Sequence, residues 1–102
     1  LPLKNATADD IARAERYRKQ VGERLAAIRG VAEEAPMTQK EFGKRIGCSQ
    51  QTVNNWEKGR CSIDPFYAVQ ISERWGFTTS WLYEGKSNAT LSTVLLRRLA
   101  DA

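Results

Sequence analysis

The chain has 102 residues, with 16 Lys/Arg against 12 Asp/Glu, a net charge of +4, no His and two Cys. That length holds one domain with a modest core. No apolar run approaches the roughly 18 residues of a membrane span and no signal-peptide pattern opens the chain, so a small, soluble, cytoplasmic domain with no membrane partner is expected.

Residues 8–33 carry Ile11, Ala14, Tyr17, Val21, Leu25, Ile28 and Ala32 at spacings of three and four, which predicts one long amphipathic helix. Thr7 is its expected N-cap, with Asp9 and Asp10 where the helix dipole favours acids. Gly22 falls inside this stretch and threatens its continuity. The segment from Gly30 to Met37, containing Pro36, reads as a connection. Thr38-Gln39-Lys40-Glu41 is a capping box that opens a short helix with Phe42 and Ile46 inward, stopped by Gly47.

Ser49 caps the next helix, which runs to Lys58 and ends at Gly59. Asp64-Pro65 opens a fourth, with Pro at the first helical position and Phe66, Ala68, Val69 and Ile71 as its apolar side. Gly76 ends it, and Thr78 or Thr79 caps a short helix through Trp81, Leu82 and Tyr83, closed by Gly85. No strand alternation of any length occurs. The predicted class is all-α: a compact five-helix bundle over 21–86, an N-terminal helical extension over 1–20, and a short amphipathic tail over 87–102. Because the chain opens on Leu1 without a Met, a trimmed or processed N-terminus is expected.

The two short helices joined through Gly47-Cys48-Ser49 form a helix-turn-helix by spacing. Such a motif lays its second helix in the DNA major groove, N-terminal residues toward the base edges. Here that helix carries Gln50, Gln51, Asn54 and Asn55 within an arc of about 140°, with Val53 and Trp56 on the opposite side. Solvent-facing helix positions are better held by Glu, Lys, Arg or Ala than by Asn. A face of side chains that both donate and accept suits the paired donors and acceptors of base edges. With Thr rather than an acid at position 52, the helix N-terminus keeps its positive end open to phosphate.

The charge excess has the same location. Residues 1–37 sum to +1 and residues 63–102 to zero, whereas residues 38–62 hold Lys40, Lys44, Arg45, Lys58 and Arg60 against Glu41 and Glu57. A local basic patch is what phosphate attraction requires.

Three stretches, VGERLAAIR at 21–29, TQKEFGKRIGCSQQTVNNWEKGR at 38–60 and DPFYAVQISERWGFTTSWLYEGK at 64–86, resemble the Cro/repressor-type helix-turn-helix domains of phage and bacterial regulators. The resemblance implies a scaffold helix at 38–46 and a recognition helix at 50–58. Its two opening glutamines look like those of one group of phage repressors. By position it implies Gln50, Gln51 and Asn55 as base readers, with Asn54 and Thr52 as secondary candidates. Gln39 matches a residue that bonds a phosphate and braces the first glutamine. Lys58, Arg60 and Ser62 match a loop that tracks the DNA backbone; Lys40 and Lys44 are further backbone candidates or plain solvated charges. Glu57 shares the inward arc of Val53, a poor place for a lone carboxylate. The family pairs that position with an Arg of the first helix, here Arg29, so a structural ion pair is expected.

The chain departs from the family in a longer connection between Arg29 and Thr38. Its twenty leading residues either extend the first helix or form a separate arm. In the tail, Leu91, Val94, Leu95 and Leu99 form a narrow apolar stripe, with Arg97 and Arg98 outside it. Such a tail is too short to be stable alone, and a role in dimerisation shared with the N-terminal helix is the expected use. Trp56, Phe42, Phe66, Trp75 and Trp81 each lie on apolar stripes and read as core rather than as nucleotide-stacking residues.

Together these features predict a sequence-specific transcriptional regulator of double-stranded DNA, a repressor acting as a homodimer on a near-palindromic operator, bacterial or phage-encoded and nucleoid-associated. The alternative is a protein-interaction module, antitoxin- or adaptor-like, that keeps the fold without using it on DNA. An enzyme is not expected: there is no His, no Cys–His or Ser–His pair, no metal set and no cofactor motif. Cys48 and Cys61 suit a reducing compartment better than a disulfide scaffold, with a redox switch as the lesser alternative.

Overall fold

The computed structural model describes residues 7–86 and residue 100. Five helices follow one another: α1 (Ala8–Val31), α2 (Gln39–Ile46), α3 (Gln50–Glu57), α4 (Pro65–Trp75) and α5 (Thr79–Glu84). No strand occurs among the described residues. Side-chain caps start all five: Thr7, Thr38, Ser49, Asp64 and Thr78 each accept a backbone N–H of the first turn. Thr7 also closes a full capping box with Asp10, a second device that holds the start of α1 against fraying.

Gly22 does not interrupt α1. A Cβ there would collide with the backbone oxygens of Trp56 and Glu57, so its missing side chain lets α1 cross directly over the end of α3. The helix is continuous through residues 8–20, so that stretch of the leading segment belongs to α1. The tail residues Leu91, Val94, Leu95, Arg97, Arg98 and Leu99 lie outside the described residues.

Leu25 and Ile28 of α1, Phe42 and Ile46 of α2, Val53 of α3, Ile71 of α4 and Leu82 of α5 meet in one fully buried core, joined by Ile63 and Phe77 from the loops. Phe42 stacks on Trp75 with ring centroids 5.3 Å apart, and Trp56 tilts against Tyr67 at 5.2 Å. The core placement expected for Phe42, Trp56 and Trp75 is therefore observed, and Trp81 is half-buried against Phe77.

Phe66 is a correction. It is 65% exposed and Val69 46%, because α4 faces the bundle through Ala68, Ile71 and Trp75, which turns both of the others outward. Phe66 packs only on the edge of Tyr67, at 5.1 Å.

The long connection between α1 and α2 is pinned at two points. Met37 is buried, and its carbonyl accepts Arg29 Nη1 at 2.8 Å. Glu33 accepts the Trp75 indole N–H at 2.6 Å, which ties the connection to α4. Arg24 closes the bundle by donating to the carbonyls of Leu82 and Tyr83 at the end of α5.

Candidate nucleic-acid interface

The turn between α2 and α3 is set by two glycines. Gly47 takes φ +84°, a left-handed conformation that lets its N–H bond Gly43 O and terminate α2. A side chain on Gly43 would place Cβ 2.5 Å from Cys48 O, so the chain folds back against α2 only because that position is bare. Ser49 then accepts Thr52 N–H at 3.1 Å, and the Ser49 and Thr52 hydroxyls share a 2.9 Å hydrogen bond.

Behind α3 a polar network fixes its orientation. Arg29 donates Nε and Nη2 to the two oxygens of Glu57 at 2.7 and 2.9 Å, a bidentate pair. The Glu57 side chain is only 8% exposed and that of Arg29 25%. The hydrogen bond to Glu57 outweighs partial burial and holds the Arg29 guanidinium above its ordinary pKa. Gln39 Nε2 donates to Glu57 at 3.0 Å and to Asn54 at 3.3 Å. The expected Arg29–Glu57 ion pair is thus present. The bracing role implied for Gln39 is met differently: its amide N–H groups serve Glu57 and Asn54, and no hydrogen bond joins it to Gln50 among the described residues.

The amide face divides accordingly. The Gln50 side chain is exposed and forms no hydrogen bond among the described residues. Gln51 is exposed and donates Nε2 to Asn55 Oδ1 at 3.1 Å, and Arg60 Nη1 approaches the same oxygen at 3.5 Å. With the amides in that orientation, Gln51 keeps its carbonyl oxygen for an acceptor role and Asn55 its NH2 for a donor role. Asn54 turns toward α2, and Thr52 is engaged in the cap. Among the described residues, Gln50 is thus the amide with no hydrogen bond, while Gln51, Asn55 and Asn54 each keep part of their donor and acceptor capacity for a partner.

Lys58, Arg60 and Ser62 are all exposed in the loop after α3, and Lys40 and Lys44 are exposed on α2. None of these four cations has a carboxylate within 4 Å among the described residues, so their charge is available to a polyanion. Arg45 is different: it reaches Glu33 at 4.0 Å and Glu41 O at 3.2 Å. Cys48, half-buried in the turn, has its thiol pKa pushed up by burial, whereas Cys61 is exposed in the loop.

Comparison with known proteins agrees with this geometry. A family profile, helix-turn-helix, matches residues 28–82, more than half of the chain. The chain belongs to the Cro/repressor-type helix-turn-helix family. This is a family of DNA-binding transcription regulators. The chain is similar to repressor protein CI of Enterobacteria phage phi80, 36% identical over 52 residues. That match covers 51% of this chain and 22% of the repressor, so the chain spans about a fifth of that relative's length. No solved structure matches significantly.

Two links that hold the helix-turn-helix of this chain carried no local sequence signal. Arg18 donates Nε to Gly59 O at 3.2 Å, anchoring the loop after α3 to α1. The Gln39–Asn54 link joins residues fifteen apart whose meeting depends on the angle between α2 and α3. Among the described residues, no group of three or more His, Cys, Asp or Glu could hold a metal ion. No described helix is long and apolar enough to cross a membrane.

Proposed function

We propose that this chain is a transcriptional repressor that reads the DNA major groove with α3, bound as a homodimer to a near-palindromic operator. The observation that carries this reading is the division of the amide face. Gln50 is unbonded and Gln51 pairs with Asn55 at one side of α3, while Arg29, Glu57, Gln39 and Asn54 lock the helix from behind. A Gln or Asn side chain can bond adenine N6 and N7 together, a pairing worth about 1–3 kcal/mol of discrimination. Lys58, Arg60 and Ser62 would follow the backbone, joined by Lys40 and Lys44, with Gln39 able to give an N–H to phosphate. Asn54 and Thr52 stand as supports of the readers. The similarity to a phage repressor supports the direction of regulation. A two-fold dimer would meet half-sites about 34 Å apart, within the bacterial cytoplasm and its nucleoid.

The interaction-module reading has one observation in its favour, the exposed Phe66 and Val69 on α4. Selection of bound duplexes from a random library, followed by gel shifts on the selected site, separates the two. Gln50→Ala should weaken the selected site by about 1–3 kcal/mol and leave random duplex nearly unchanged. Lys58→Ala or Arg60→Ala should weaken all duplexes alike and reduce the salt slope by about 1. Equal loss on selected and random DNA for Gln50→Ala would remove direct base readout. Failure to enrich any duplex would favour the interaction module.

A further inference from the structure

The N-terminal part of α1 extends beyond the bundle. Arg18 is the first α1 side chain that bonds another element, through Gly59 O. The ten residues ahead of it span about 15 Å of helix. Along this stretch Ile11 and Tyr17 are 43% and 44% exposed, Tyr17 beside Tyr83 at the edge of the bundle, with Ala14 half-buried between them. At roughly 100° per residue, Asp10, Ile11, Ala14, Tyr17 and Arg18 fall within an arc of about 120°, a stripe continuous with Val21 and Leu25 of the core. Apolar groups so aligned are unusual on an unpartnered helix.

Turned end for end, this stripe matches itself. A two-fold axis at Ala14 sets Ile11 against the second copy's Tyr17 and Asp10 against its Arg18, with Ala14 facing Ala14 at the centre. Each apolar residue meets an apolar one and each charge meets its opposite, which is the condition for an isologous contact. The small central pair lets the helix axes approach to about 8 Å. Among the described residues Arg18 bonds through Nε alone, to Gly59 O, so its terminal nitrogens remain for a carboxylate.

From this complementarity we infer that the overhang of α1 is the dimer interface, an antiparallel pairing of two copies of this chain centred on Ala14. The inference rests on the homodimer reading and gives it a surface. It also fits two-site DNA binding. The C-terminal end of α3 lies against Gly22, eight residues and about 12 Å from Ala14, so the two α3 ends stand about 24 Å apart along the paired helices. Half-sites one turn apart are about 34 Å from centre to centre, a separation of the same order. Five residues from each copy meet, against roughly 20–30 a side in a standard interface, so the dimer is weak.

Sedimentation equilibrium on the full chain tests this, with circular-dichroism melts as a check on folding. Ala14→Glu and Ile11→Glu, on exposed or half-exposed positions, should each raise the dimer dissociation constant at least tenfold and leave the melt nearly unchanged. A mixture of Ile11→Glu and Tyr17→Lys chains should dimerise better than either variant alone, because one layer becomes a Glu–Lys pair and the other is native. Wild-type dimers that survive Ala14→Glu, or a mixture no better than its components, would overturn this interface and leave the homodimer reading standing. A wild-type chain that stays monomeric at every soluble concentration, and binds its selected site as one copy, would overturn both.

Discussion

Replacing Arg29 by Met tests the claim that α3 is held from behind by a buried charge. Glu57 receives three hydrogen bonds, two from Arg29 at 2.7 and 2.9 Å and one from Gln39 at 3.0 Å. Met removes the two charge-assisted ones and leaves a carboxylate that is 8% exposed with a single amide donor. Breaking a buried pair this way costs about 3–5 kcal/mol. Arg29 itself is 25% exposed, so water re-enters part of the vacated space and the lower end, about 3 kcal/mol, is expected. For a domain of this size that corresponds to a fall in Tm of about 12–24 °C. Urea unfolding at neutral pH, with the double variant Arg29→Met/Glu57→Met, completes the cycle. The double variant should be more stable than the sum of the two single losses by at least about 1 kcal/mol, since it leaves no orphaned charge. A single-variant loss under about 1 kcal/mol, or a double loss equal to the sum, would refute the reasoning.

The helix-turn-helix turn and the Tyr83 hydroxyl each set a measurable outcome. Gly43→Ala should cost about 1–3 kcal/mol in urea unfolding and weaken DNA binding, because its Cβ would meet Cys48 O at 2.5 Å and must push the turn apart; an unchanged midpoint would show that the turn yields freely. Tyr83 donates its hydroxyl to Ile63 O, and burial, then the neighbouring Tyr17 and Asp64, push its pKa up to about 12. Its folded value lies above the ordinary 10.0, so the stability it confers is complete below pH 10 and is lost as pH rises toward about 12. Tyr83→Phe should therefore flatten the alkaline fall in stability over that window; a parallel fall in both proteins would assign it elsewhere.

The helix order was legible because its punctuation is local. Thr38 with Glu41, Ser49, Asp64-Pro65 and the glycines at 47, 76 and 85 each act within one turn of the residue they cap. The Arg29–Glu57 pair came from family resemblance together with the inward arc of Glu57, and the structure contains it. Phe66 and Val69 were misplaced for a physical reason. A short helix with apolar residues on more than one side does not announce which side its neighbours cover. Gly22 follows the same logic: propensity weighs a glycine as a helix weakener, whereas here the backbone of Trp56 and Glu57, 34 and 35 residues away in the chain, requires it.

By itself, the sequence determined five capped helices, a glycine turn and four amides sharing one face of α3. These are properties of neighbours in the chain, fixed by dihedral preference and helical period. Only the tertiary structure decided which of those amides are free. The angle between α2 and α3 brings Gln39 to Asn54 and Glu57, Gln51 bonds Asn55, and Gln50 is left unbonded among the described residues. The same packing covers α1 from Val21 onward and leaves Ile11 and Tyr17 open, because the bundle is shorter than the helix that crosses it.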